Sequence, residues 1–205
     1  MGVNTFRQPP QTRLELASAE LKIGLAETMA DMASEVAWMC VRALTNGGKL
    51  MFCGNGGSAS DSQHLATELI VRFRSAVNRT PYAALALTVD PTVLTAAGND
   101  FGFETIFERP LRGIGRSGDV LFALTTSGRS PNVVRALQAA RELGITTVGL
   151  LGSTGLPAST LCDYPMIVPS HETARIQECH IAIGHALIEM IEDRLIADQA
   201  SRSEP

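Results

Sequence analysis

Beyond Gly48 the chain alternates between two kinds of stretch. Short, mainly apolar runs lie at 49–53, 83–87, 119–124, 146–151 and 166–168. Between them are longer segments with helical periodicity. A run such as Val120-Leu121-Phe122-Ala123-Leu124 has no polar side, so the strand it forms must be covered on both faces. Strands of that kind, each followed by a helix, are satisfied by a parallel sheet with helices packed on both sides. The expected architecture is α/β: a doubly wound, five-stranded, flavodoxin-like parallel sheet flanked by helices.

The helical segments follow from spacing and from the residues that bound them. Over 18–44 the apolar positions Leu25, Met29, Met32, Val36, Met39 or Cys40, and Ala43 fall on one face, and Asn46-Gly47-Gly48 supplies an end signal. This long N-terminal helix leads into the first strand, and its narrow methionine-bearing stripe suits core packing or contact with a second copy. Further helices are expected over 59–73, over 103–114 with an interruption at Pro110, from Pro131 onward, and over 173–195. The stretch containing Gly98-Asn99-Asp100 reads as a polar connection. No repeat or linker divides the chain. Residues 1–17 are expected to be a polar tail, 18–197 a single domain, and 198–205 a frayed end.

Composition excludes several classes of function. With 17 basic against 21 acidic residues, a net charge of −4 and no Lys/Arg run, there is no footprint for nucleic acid. No stretch approaches the roughly 20 apolar residues of a membrane span, and residues 1–13 lack an apolar signal core. Cys40, Cys53, Cys162 and Cys179 show no C-x-x-C spacing, so reduced thiols in a cytoplasmic protein are expected rather than disulfides or a cysteine-held zinc.

In a doubly wound sheet the ligand sits at the carboxyl ends of the strands. Two loops qualify. Gly54-Asn55-Gly56-Gly57-Ser58 lets a ligand approach the backbone closely. Thr125-Thr126-Ser127-Gly128-Arg129-Ser130 places four hydroxyls and several N–H groups where a helix begins, which suits a phosphate. Neither contains G-K-[ST] or G-x-G-x-x-G, which disfavours nucleotide hydrolysis and dinucleotide binding. Each loop alone reads as ordinary turn chemistry; two at equivalent strand ends point to a phosphorylated small molecule.

Four histidines are present. His64 and Glu68 stand four apart on the helix after the glycine loop, so both leave the same face, a geometry for a shared metal or for a base held by its neighbour. On the last helix Gln177, His180 and His185 compete as partners; His180 and His185 diverge by about 140° and do not serve one ion together. Spacing alone does not choose between them. Glu178, Glu189, Glu192 and Asp193 read as solvated charges.

These residues together resemble the sugar isomerase (SIS) family, and within it the phosphoheptose isomerases. The likeness rests on Cys53-Gly54-Asn55-Gly56-Gly57-Ser58 with His64 and Glu68, on Gly98-Asn99-Asp100-Phe101-Gly102, on Thr126-Ser127-Gly128-x-Ser130, and on Arg175-Ile176-Gln177-Glu178-x-His180-x4-His185, in that order over residues 20–195. The resemblance implies a cytoplasmic homotetramer that interconverts sedoheptulose 7-phosphate and D-glycero-D-manno-heptose 7-phosphate, feeding activated heptose for lipopolysaccharide or other surface glycans. It implies one zinc ion per subunit on His64, Glu68, Gln177 and His185, with Glu68 and His185 as the acid/base pair. Substrate contacts are implied at Asn55, Gly56, Gly57, Ser58, Glu68, Asn99, Asp100, Thr125, Thr126, Ser127, Ser130 and Gln177. Thr125, Arg129, Pro110 and Ala174 depart from the family pattern and bear on which sugar is taken. A related non-catalytic reading is a binding module of the same fold, either a protein that associates with the replication initiator or a sugar-phosphate sensor. The presence of both Glu68 and His185 argues for the enzyme.

Overall fold

The computed structural model describes the backbone from Pro10 to Ser203 and the side chains of residues 24–198, Ala26 apart. Six helices and five strands follow in the order α1 (Pro10–Thr45), β1 (Leu50–Gly54), α2 (Gly57–Ile70), β2 (Ala84–Ala86), α3 (Pro91–Phe101), α4 (Glu108–Ile114), β3 (Val120–Thr125), α5 (Pro131–Glu142), β4 (Thr146–Gly152), β5 (Tyr164–Val168) and α6 (Thr173–Ser203). The sheet order is β2-β1-β3-β4-β5 and every pairing is parallel, so the expected fold class holds. Long helices stand at both ends of the chain. The first begins at Pro10, inside the stretch read as a tail, where proline costs nothing because the first helical N–H has no acceptor. The last continues to Ser203 rather than stopping near Leu195. Residues 1–9, the start of the expected tail, lie outside the described residues.

Alternate residues of the central strands feed two cores. Leu50, Phe52, Val120, Phe122 and Leu124 face α1, α2 and α6, with the Phe52 and Phe122 rings stacked 4.9 Å apart. Met51, Cys53, Leu121 and Ala123 face the opposite layer, where Leu111 of α4 and Val133, Ala136 and Leu137 of α5 cover them. Each fully buried leucine or phenylalanine contributes about 1.5–3 kcal/mol. The apolar stripe of α1 is used mainly within the chain: Val36, Cys40 and Val41 are buried in the first core. Among the described residues no helix is long and apolar enough to cross a membrane.

Two local expectations need correcting. The stretch around Gly98-Asn99-Asp100 is α3, a helix capped by Asp90, whose carboxylate accepts from the N–H groups of Thr92 and Val93, with Pro91 as its first residue. Pro110 does not interrupt a helix over 103–114. A single 3-10 turn spans Phe103–Thr105, and α4 begins at Glu108, which puts Pro110 in a first turn where no intrahelical donor is lost.

The sheet order places β1 between β2 and β3, so the loops leaving β1 and β3 diverge at their carboxyl ends and open a crevice. Both loops singled out in the sequence leave the sheet there.

Candidate active site

The loop after β1 turns through Gly56, whose φ of +57° is open to glycine and strained for other residues, and α2 starts at Gly57. A side chain at Gly57 would collide with the amide of Gln177, so the start of α6 lies directly over the start of α2. Ser58 is buried and its carbonyl accepts from the hydroxyl of Ser62. Asn55 is fixed by a reciprocal amide pair: it donates to Asn132 at 2.9 Å and accepts from Asn132 at 2.8 Å. Asn132 is fully buried in the first turn of α5, where it also caps the N–H of Val133. This residue, absent from the expected site, ties the loop after β1 to the start of α5.

The loop after β3 gathers its hydroxyls. Thr125 Oγ1 lies 3.1 Å from Ser130 Oγ and 3.4 Å from Ser127 Oγ, and Ser127 Oγ accepts from the N–H of Arg129. Thr125 is buried and Ser127 exposed, with Thr126 and Ser130 between. The side chain of Ser130, at the N-cap of α5, makes no capping bond, so its hydroxyl stays available to a ligand; Pro131 has no N–H, and the N–H groups of Val133 and Val134 are taken by the Asn132 side chain and the Ser130 carbonyl. Gly128 has φ +67° and is packed backbone to backbone against Gly155.

His64 and His185 come together. Their Nε2 atoms lie 2.8 Å apart, and His64 Nε2 is 3.5 Å from Glu68 Oε1. Phe73 stacks obliquely on His185, ring centroids 5.4 Å apart. Burial, then the neighbouring His64, push the His185 imidazole below its ordinary value, against the pull of Glu68 and Asp61. Asp61, one turn before His64 on α2, was not anticipated. Its Oδ2 is buried without a hydrogen bond, and burial raises its carboxyl despite His64 and His185 nearby. Its spacing of three from His64 was the available signal.

His180 is elsewhere. It is fully buried, its ring nitrogens lack well-formed hydrogen bonds, and burial lowers it to about 4, opposed by the backbone at Leu151. Asn99 and Asp100 lie exposed on the last turn of α3, where Asn99 Nδ2 donates to Asp100 Oδ1; among the described residues no hydrogen bond ties them to the other site residues. Glu192 corrects the reading of the last helix as solvated. It is completely buried, its two oxygens taken by Arg79 and Arg74 at 2.7 Å each. Burial alone would raise its carboxyl, but the two guanidinium groups outweigh that and hold it below the ordinary range. Glu178 pairs with Arg175, and Glu189 and Asp193 face Arg74. Cys40, Cys53, Cys162 and Cys179 form no disulfide, and burial pushes the Cys53 and Cys162 thiols up to about 12, so neither is a nucleophile.

Two imidazole nitrogens and a carboxylate oxygen are a donor set that suits zinc. As they stand, the two nitrogens are hydrogen-bond close. About 3.3 Å is the separation expected of two nitrogens on one tetrahedral zinc, given Zn–N of roughly 2.0–2.1 Å. Among the described residues no group of three or more His, Cys, Asp and Glu stands in ligating arrangement. The donors fit in kind and converge; a small opening of the His64–His185 contact is what a metal requires.

A parallel 2-1-3-4-5 sheet with a hydroxyl-rich loop and a His/Glu cluster near its switch point is the α/β architecture of an SIS domain, and the SIS domain family model matches residues 17–152. The phosphoheptose isomerase of Aquifex aeolicus is 48% identical over 176 residues, covering 86% of this chain and 91% of that protein. Solved phosphoheptose isomerases superpose closely. The enzyme from Neisseria gonorrhoeae does so with a TM-score of 0.83 at 37% identity, covering 90% of this chain and 100% of that one. The enzyme from Francisella tularensis gives 0.84 at 34%, covering 89% and 96%. The chain belongs to the phosphoheptose isomerase family and is a sugar-phosphate isomerase of the aldose–ketose type.

Proposed function

We propose that this enzyme interconverts sedoheptulose 7-phosphate and D-glycero-D-manno-heptose 7-phosphate in the cytoplasm, the step that opens activated-heptose synthesis for lipopolysaccharide or other surface glycans. The observation that carries the reading is the convergence of His64, Glu68 and His185 beside an anion loop. The phosphate binds at the hydroxyls of Thr125, Thr126, Ser127 and Ser130 at the start of α5, and the sugar chain runs from there toward Glu68. Asn55, Gly56, Gly57, Ser58 and Gln177 line the reacting end; Asn99 and Asp100 complete the substrate contacts.

Glu68 takes a proton from C1 of the open-chain ketose, leaving an enediolate across C1 and C2, and returns it to C2. His185 delivers a proton to the oxygen on C2 and removes one from the oxygen on C1, so the aldehyde forms at C1 with no net gain or loss of protons. Burial and the neighbouring His64 favour the neutral imidazole of His185, which has one nitrogen to donate and one to accept. One zinc ion per subunit would be held by His64, Glu68, Gln177 and His185 and would polarise the sugar carbonyl. The homotetramer draws support from the family and from an apolar groove between α1 and α6 lined by Met29, Ala33, Ile183 and Met190.

The test is incubation of metal-analysed protein with sedoheptulose 7-phosphate and NMR detection of the aldose. Appearance of the heptose aldehyde supports the reading; an unchanged ketose with stoichiometric metal present sinks it. Light scattering that gives a monomer mass at micromolar concentration sinks the tetramer.

A further inference from the structure

Arg79 touches neither reacting group, yet it holds the main chain of one and the helix of the other. Its side chain is 1% exposed. Nη2 donates to the main-chain carbonyl of Glu68 at 2.8 Å, and Nη1 donates to the carbonyls of Leu69 at 2.9 Å and Thr80 at 3.1 Å. Nε donates to Glu192 Oε1 at 2.7 Å, and the guanidinium lies 4.0 Å from the centre of the Tyr82 ring. The carbonyls of Glu68 and Leu69 belong to the last turn of α2, where a helix has no internal donors left to offer. Glu192 lies seven residues, two turns, beyond His185 on α6, so both project from about the same face. One planar cation thus spans from the backbone of Glu68 to the helix that carries His185.

Stability alone is a poor reason for such an arrangement. A buried ion pair is often matched or bettered by apolar residues of similar volume, because desolvation offsets its attraction. What apolar residues cannot do is tie the end of one helix to the body of another at fixed atoms. A lysine cannot do it either, since it lacks the fork that reaches a carboxylate and several carbonyls at once.

We propose that Arg79, oriented by Glu192, is a positioning residue for the isomerisation: it sets the distance between the Glu68 carboxylate and the His185 imidazole. The inference rests on the assignment of Glu68 as the base. Misplacement by about 1 Å costs on the order of a hundredfold in rate, while substrate held through its phosphate still binds.

The test uses Arg79→Lys and Glu192→Asp, which keep both charges and shorten the reach, assayed with sedoheptulose 7-phosphate alongside thermal unfolding. The expected result is a kcat lower by about 10–100-fold with KM within about threefold, because the anion loop on α5 is untouched. Arg74→Gln, which removes a partner of Glu192 that bonds no α2 carbonyl, keeps kcat within about twofold. Adding Arg79→Lys to Glu68→Gln costs nothing further, since the group it positions is already gone. An unchanged kcat, a loss confined to KM, additive losses in the double variant, or failure of both Arg79→Lys and Glu192→Asp to fold would each overturn the proposal. Failure of the underlying assignment shows separately, as near-normal turnover in Glu68→Gln alone, and the proposal falls with it.

Discussion

The Nε2 atoms of His64 and His185 meet at 2.8 Å although 121 positions separate them in the chain. The contact exists because α2 and α6 pack side by side on one face of the sheet, with Leu65 and Leu69 of α2 and Ile183 and Leu187 of α6 in one apolar cluster. Glu68, one turn beyond His64, is carried into the same place. A carboxylate that shuttles a proton between carbons is not replaced by an amide of the same shape. Glu68→Gln is expected to fold normally by circular dichroism and to lose at least about a hundredfold in turnover, the lower end for lost acid–base catalysis. NMR of the sugar products measures it.

Ser130 faces Thr125 across 3.1 Å at the mouth of α5 and spends no bond on capping the helix. A hydroxyl that hydrogen-bonds a charged phosphate contributes about 1.5–3 kcal/mol. Ser130→Ala is therefore expected to raise KM by roughly 10–100-fold and to weaken inhibition by inorganic phosphate in proportion, with kcat changed far less. Steady-state kinetics with phosphate as competitor checks it.

Asn132 is buried and satisfies both Asn55 and the N–H of Val133. Removing its amide strands these partners away from water. Asn132→Ala is expected to lower stability by about 1–3 kcal/mol in denaturant unfolding and to loosen the glycine loop, read as faster hydrogen exchange over 55–58.

His180 is buried neutral, with its value lowered from 6.5 to about 4. Between those values the unfolded chain holds a proton that the folded chain does not, so acid favours unfolding. Stability is whole above pH 6.5 and falls by about 3 kcal/mol on the way to pH 4. Urea unfolding across that range is expected to show the slope, and His180→Gln to flatten it.

Much of this architecture is written in local patterns. The continuous runs at β1, β3 and β4 marked their strands to within a residue or two, since strands covered on both faces have no polar positions to blur their ends. The helix α3 did not show itself, because Thr92, Val93, Thr95 and Gly98 weaken its propensity, and only the Asp90-Pro91 start announced it. In the site, His64 and Glu68 were visible as a one-turn pair. The roles of Asn132, Arg79 and Glu192 were not, because the pairs Asn132–Asn55, Arg79–Glu192 and Arg74–Glu192 are 77 to 118 positions apart and become neighbours only once the sheet has formed. Spacing left His180 and His185 undecided; the resemblance favoured His185, and the packing buries one and turns the other toward His64.

Gly128, pressed against Gly155, has one further consequence. The turn after β3, proposed to receive the anion, and the turn that leaves β4 interlock through their main chains, and the N–H of Ala158 closes the joint by donating to the Gly128 carbonyl at 3.1 Å. Neither segment can be transplanted alone into another protein of this topology and keep its shape. Anyone who sets out to re-engineer the pocket for a different sugar has to carry the two across as a single cassette.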